Sequence, residues 1–152
     1  MFIRALNKLT KVKKTAIKEV YSFIDTLCIT ADLEIESEKL ESELEEIVAD
    51  MDFLIKENAR TAQNQEEYLQ KENDIRVRYS EASSRMKDIE NEIKIKQNRK
   101  TVLHNFIKTL DGVKGEITEF DEDLWSGLVD YILVKDKESY TVVFKGGTEI
   151  DI

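Results

Sequence analysis

Apolar residues recur at alternating steps of three and four from Leu33 to Leu54, and again from Tyr68 to Leu110. The two runs mirror each other about Gln63. The first comprises Leu33, Leu40, Leu44, Ile47, Met51 and Leu54, with Ser37 and Asn58 filling the same seam. The second comprises Tyr68, Ile75, Tyr79, Ala82, Met86, Ile89, Ile93, Leu103, Ile107 and Leu110, with Glu72, Lys96 and Lys100 as polar exceptions. Such spacing is the heptad signature of helices that share a narrow apolar seam. Between the stripes, Asn64 followed by Glu67 has the form of a capping box. One helix is therefore expected to end near Arg60 and the next to begin near Gln65. A connection this short makes the helices antiparallel neighbours.

A hairpin fixes which positions face each other. Leu54 falls opposite Glu72, Met51 opposite Ile75, Ile47 opposite Tyr79, Leu44 opposite Ala82, Leu40 opposite Met86, Ser37 opposite Ile89 and Leu33 opposite Ile93. Each pair is equidistant from Gln63, inside the expected turn. Small Ser37 and Ala82 each meet a larger residue, as interdigitating layers require. The competing arrangement, two helices that each dimerise in parallel, needs the turn to open.

The first stripe loses phase around residues 29–33, where Thr30 or Asp32 offers a new helix cap. A break is expected there, after a basal helix over about 3–28 that places Phe23 opposite Leu103 and Val20 opposite Phe106. The organisation read from the chain is a basal helix in 1–30, an antiparallel coiled-coil arm over 31–111 with its tip near 61–65, and a mixed segment over 112–152. All five glycines lie at or after position 112, and there is no proline. Gly112 suits the position just past a helix end. Asp121 suits an N-cap for a short helix over about 122–130, with Glu122 and Asp123 in its first turn. The runs YILV and YTVVF then read as strands joined by the turn DKES. GG at 146–147 supplies positive φ for a tight turn into TEI. The fold class is thus mainly α: a long antiparallel two-helix hairpin on a small α+β base with a short C-terminal β-hairpin or meander. That sheet is expected to pack on the basal helix, because an isolated hairpin is marginal in water.

Charge is uneven. The chain carries a net −9, with 36% charged residues. Yet residues 1–18 hold Arg4, Lys8, Lys11, Lys13, Lys14 and Lys18 and no acid. Residues 93–110 hold Lys94, Lys96, Arg99, Lys100 and Lys108, again without acid. The acid is concentrated between Glu34 and Glu72. A field of this kind means more than its sum. Lys11, Lys13, Lys14, Lys96, Arg99 and Lys100 are therefore the candidates for a DNA-proximal base. Two readings of Lys96 and Lys100 stand side by side. They snorkel where the partner helix turns away, or they approach phosphate. Binding of DNA by the basic end alone is expected to be weak and to fall steeply with salt.

No catalytic set is recognisable. His104 is the sole histidine and lies off the stripes, KGG is too short for a phosphate loop, and FDEDLW reads as a capped helix start. A single cysteine, Cys28, excludes an internal disulfide and a multi-cysteine zinc site, and its apolar neighbours mark it as a core thiol. Trp125 reads as packing. No apolar stretch approaches the ~18 residues a membrane span needs, and the start lacks a secretory signal. A cytoplasmic protein with no membrane partner is the expectation.

The segment EITEFDEDLWSGLVDYILVKDKESYTVVFKGGTEI resembles the C-terminal end of large serine recombinases of the transposon and phage-integrase kind. Phe120, Asp121, Glu122, Leu124 and Trp125 match their helix start. Phe144, Lys145, Gly147, Thr148, Glu149 and Ile150 match their closing strand. IKENARTAQNQEEYLQKENDI is similar to the tip of their coiled coil, and FIRALNKL to the helix after their zinc ribbon. The resemblance spans nearly the whole chain and rests on the order and spacing of these motifs. It implies a role in DNA recombination and integration. The coiled coil, inserted within the zinc-ribbon domain, meets the coiled coils of other recombinase subunits and serves synapsis and directionality. A directionality factor acts through the same region, and DNA is bound through the parent protein. Arg60, Thr61, Gln63, Asn64 and Gln65 are then the candidate tip contacts, unless they only form the turn. The chain departs from the family in lacking the catalytic serine domain and the structural-zinc ligands, a site that needs about four of them. It is expected to be an excised fragment or the product of a truncated gene, with no enzymatic activity and no cofactor of its own. The alternative is a stand-alone helical dimerisation or adaptor protein unrelated to DNA.

Overall fold

The computed structural model describes residues 1–136 and 139–152. It contains α1 (Phe2–Lys11), α2 (Lys13–Leu27), α3 (Ala31–Arg60), α4 (Gln65–Gly112), α5 (Glu122–Leu128), β1 (Val129–Val134), β2 (Tyr140–Phe144) and β3 (Glu149–Asp151). The chain divides into two compact units. One is built from residues 1–29 together with 96–152, the other from residues 30–95. The expected DKES turn includes positions 137 and 138, which lie outside the described residues.

The unit of residues 30–95 is the helical hairpin. Of the expected seam, Ile47, Leu54, Ala82 and Ile89 are buried. Leu33, Ser37, Leu40, Leu44, Met51, Tyr68, Ile75, Met86 and Ile93 are half-buried. The register is close to that expected. Ile47 and Met51 share a groove with Ile75 and Tyr79. Ser37 donates to the Met86 sulfur at 3.2 Å, one helical step from its expected opposite, Ile89. Knobs that sit between residues of the facing helix produce this offset. Tyr79 departs from expectation: its ring lines the groove and is exposed instead of filling the seam.

The other unit carries the main core. Phe2, Ala5, Leu6 and Leu9 of α1 and Ala16, Val20 and Ile24 of α2 pack with Leu103, Phe106, Ile107 and Leu110 of α4. Leu128, Val129, Val142, Phe144 and Ile150 complete the cluster. The sheet has the order β1-β2-β3 and is antiparallel throughout. Thr141, buried in β2, donates to the Asp151 carboxylate of β3, and Lys135 donates to the same oxygen at 2.8 Å. These bonds, Lys135 foremost, hold Asp151 below the usual carboxylate range.

Three local expectations are corrected. The basal helix is two helices, broken at Val12 (φ −106°, ψ 13°), whose N–H turns back to the Leu9 carbonyl at 3.1 Å. The apolar spacing does not mark this break, because Leu9, Val12 and Ala16 continue in phase. Two features accompany it, one local and one tertiary. Val12 lies among Lys11, Lys13 and Lys14, cations that oppose a helix N-terminus. Lys13 reaches the end of α4, donating to the carbonyls of Asp111 at 2.7 Å and Val113 at 3.0 Å. That contact also explains the second correction. α4 ends at Gly112 as expected, but Gly112 is its last helical residue instead of the residue just past it, and positive φ appears at Gly115 (75°). The Lys13 ammonium takes the Asp111 carbonyl and the Val113 N–H takes that of Leu110, so the helix end is partnered without a left-handed residue at Gly112. Third, α5 stops at Leu128 because Val129 already pairs with Phe144, with a bulge before Tyr131. The expected break before α3 falls at 28–30, with Thr30 as N-cap residue; its hydroxyl bonds the Glu34 carboxylate at 2.8 Å.

Candidate protein-interaction site

The turn between α3 and α4 is built by its own polar side chains. Thr61 leaves the helix in an extended conformation (φ −127°, ψ 133°). Asn64 Oδ1 accepts from the amides of Glu66 at 2.9 Å and Glu67 at 3.4 Å. It therefore satisfies two of the free N–H groups that open α4. Gln65 Nε2 donates to Asn58 Oδ1 and to the Gln63 carbonyl, each at 3.3 Å. Among the five candidate tip residues, Asn64 and Gln65 thus shape the turn while remaining exposed. Gln63 is half-buried, and Arg60 and Thr61 are exposed. Replacing Asn64 by alanine is expected to lower the stability of the hairpin by about 1 kcal/mol. Urea denaturation followed by far-UV circular dichroism measures this, and Asn64→Asp should retain most of it.

Sequence reasoning passed over the apolar residues beside this turn. Phe53, Ile55 and Leu69 are exposed. The stripe assigns the seam, and these positions lie outside it.

One flank of the hairpin is fastened by ion pairs between the helices. Arg85 holds Glu36 with two parallel bonds of 2.7 and 2.9 Å, and Arg78 reaches Asp50 at 3.2 Å. The hydrogen bond from Arg85, aided by its charge, holds Glu36 below the usual carboxylate range. A depressed folded value gives stability that is complete above the ordinary Glu range and lost as pH falls through the lower folded value. The difference in urea midpoint between the natural chain and Glu36→Gln should therefore be present at neutral pH and vanish in acid. An undiminished difference in acid would exclude the ion pair as its source.

The six basic candidates take different places. Lys13 caps α4 as described. Lys96 donates to the Leu27 carbonyl at 3.2 Å, at the end of α2, and so satisfies one of the free carbonyls there. Arg99 lies over the Phe23 ring at 5.2 Å. Lys11, Lys14 and Lys100 are exposed. The structural zinc implied by the resemblance does not fit these residues. Cys28 is buried in the core cluster, and His104 meets the Tyr21 ring edge-on at 6.4 Å. Among the described residues no group of three His, Cys, Asp or Glu side chains is placed to hold a metal. No helix among them is long and apolar enough to cross a membrane. Trp125 packs edge-on against Phe2 at 5.0 Å.

Comparison of the chain with protein-family models, curated proteins and solved structures gives no match.

Proposed function

We propose that this chain is the non-catalytic coiled-coil portion of a site-specific serine recombinase, acting in the cytoplasm. In this reading its hairpin meets the coiled coils of other subunits during synapsis, through the turn at Arg60, Thr61, Gln63, Asn64 and Gln65. DNA is engaged by the parent protein, with the basic residues of the other unit on the DNA side. The observation that carries the reading is topological. Residues 30–95 form a hairpin that enters between two segments, 1–29 and 96–152, which fold together as one unit. A coiled coil inserted into a domain is the organisation that the motif resemblance implies, and the segment after the insertion completes that domain. Polar residues exposed at the turn suit a contact that forms and releases.

The adjoining coding sequence tests the assignment. A catalytic serine domain and a cysteine-rich ribbon, intact or as a relic, are expected upstream; a promoter with neither overturns it. In a recombinase that carries these residues, replacing Arg60–Gln65 by a glycine-serine turn should leave binding to single attachment sites unchanged. It should abolish the paired-site complex in a gel-shift assay. Normal pairing after the replacement would refute the role of the turn.

A further inference from the structure

An antiparallel helix pair has two flanks, and here they differ in kind. On one, α3 presents Glu36 and Asp50 and α4 presents Arg78 and Arg85, cross-linked as described, and a single exposed apolar side chain, Phe53, lines a groove beside Asp50 and Arg78. On the other, α3 presents Val48 and Ile55 and α4 presents Leu69, which are 56%, 50% and 60% exposed. The ion pairs there run within single helices: Arg76 with Glu72 at 2.7 Å, and Lys56 with Asp52 at 3.2 Å. Between the helices this flank opens into a groove of about 300 Å³, rimmed by Val48 and floored by Ile47, Met51 and Ile75. An apolar seam widened by apolar residues on one side is the pattern of a helix with more than one packing neighbour.

We propose that this chain self-associates through the Val48, Ile55 and Leu69 flank, α3 of one copy lying beside α4 of the other with the two turns level. Charge identifies the occupant. Farther from the turn, the α3 edge of this flank carries exposed Glu38, Glu41 and Glu45, and the α4 edge carries exposed Lys87 and Lys94 with the single acid Glu90 between them. A second copy related by a two-fold axis along the hairpin sets Lys87 and Lys94 against the acidic α3 edge on both sides, with Glu90 the one like-charged exception. Residues equidistant from Gln63 share a height, so Lys87 of one copy stands level with Glu38 and Glu41 of the other. With the copies running in opposite directions, matching the apolar patches would carry Lys87 past the other turn and lose the pairing. The partner is the one the recombinase reading invokes, another copy's hairpin, but the surface is the flank and not the turn, so replacing the turn tests that reading and the flank variants test this one.

Sedimentation equilibrium of the full chain tests it. A concentration-dependent dimer is expected. Ile55→Glu with Leu69→Glu should weaken it by roughly 30-fold or more, the effect of losing a central apolar anchor. Phe53→Glu, an exposed apolar site outside this flank, should change it by no more than about twofold, as peripheral residues do. Lys87→Glu should weaken the dimer, and adding Glu38→Lys with Glu41→Lys should restore it, a result that does not depend on the apolar variant folding. Ala62→Cys in a Cys28→Ser background should cross-link between copies if the turns are level. A chain monomeric at every concentration, a dimer indifferent to the Ile55 and Leu69 changes in a folded variant, or a dimer whose Ala62→Cys sites do not cross-link overturns the proposal.

Discussion

Phe106→Ala should cost the unit of residues 1–29 and 96–152 about 3–5 kcal/mol, the range for deleting a buried aromatic ring. Phe106 is fully buried in the cluster shared by α1, α2, α4 and the sheet. Its ring edge lies beneath the backbone at Gly146 beside Val20, so these elements close over one side chain. The site has little freedom to collapse, because helices and sheet are held apart by their own backbone bonding. Trp125 belongs to the same unit, and its fluorescence follows that unit alone. The urea midpoint of the fluorescence transition should fall by roughly 2 M at ordinary urea sensitivities. A fall under a quarter of that would show that Phe106 does not hold the unit together.

The hairpin was legible because its information is local and repeated. Heptad spacing, an Asn cap and a short turn each point to the same register, and Asn64 caps α4 as its spacing implies. Such agreement between levels marks a sequence that specifies one structure. Asp121 was legible for the same reason: its carboxylate accepts from the Leu124 amide at 2.9 Å. The break at Val12 was not: the apolar phase runs through it, and the contact of Lys13 with the end of α4, about a hundred residues away in sequence, leaves no mark in the spacing. The end of α4 was legible, since the helix stops at Gly112, but the left-handed conformation expected there appears only at Gly115. A side chain that arrives to take a last carbonyl, as Lys13 does, removes the need for a left-handed residue there, and spacing does not reveal it.

The candidate site was legible in part. Spacing located the turn, and composition supplied its exposed polar residues. Which of them form the turn and which face outward depends on distances such as Gln65 to Asn58, and periodicity carries no such information. The basic candidates show the same limit. Charge runs group Lys13, Lys96 and Arg99 with Lys11, Lys14 and Lys100, whereas the fold engages the first three with helix ends and an aromatic ring. Apolar residues just off a seam look incidental in a stripe analysis. The contrast between an ion-paired flank and an apolar one appears only after the register is fixed.

Gly146→Ala should destabilise the same unit by about 1–3 kcal/mol, the usual cost of overpacking. The sequence reads the Gly146–Gly147 pair as a source of positive φ, but only Gly147 adopts it (86°). Gly146 is required for space. A methyl there would lie 2.5 and 2.9 Å from two carbons of the Phe106 ring and 2.9 Å from a Val20 methyl. Phe106 and Val20 are both buried, so neither has room to retreat. Gly112→Ala provides the contrast: no neighbouring atom stands within 4 Å of its new methyl, and at the last helical position the change should be neutral or stabilising by less than about 1 kcal/mol. Combining Gly146→Ala with Phe106→Leu gives the decisive measurement. The smaller side chain frees space for the methyl, so the double variant should lose about 1 kcal/mol less than the two single losses together. Strict additivity would mean that Gly146 is fixed by its backbone and not by the ring beneath it.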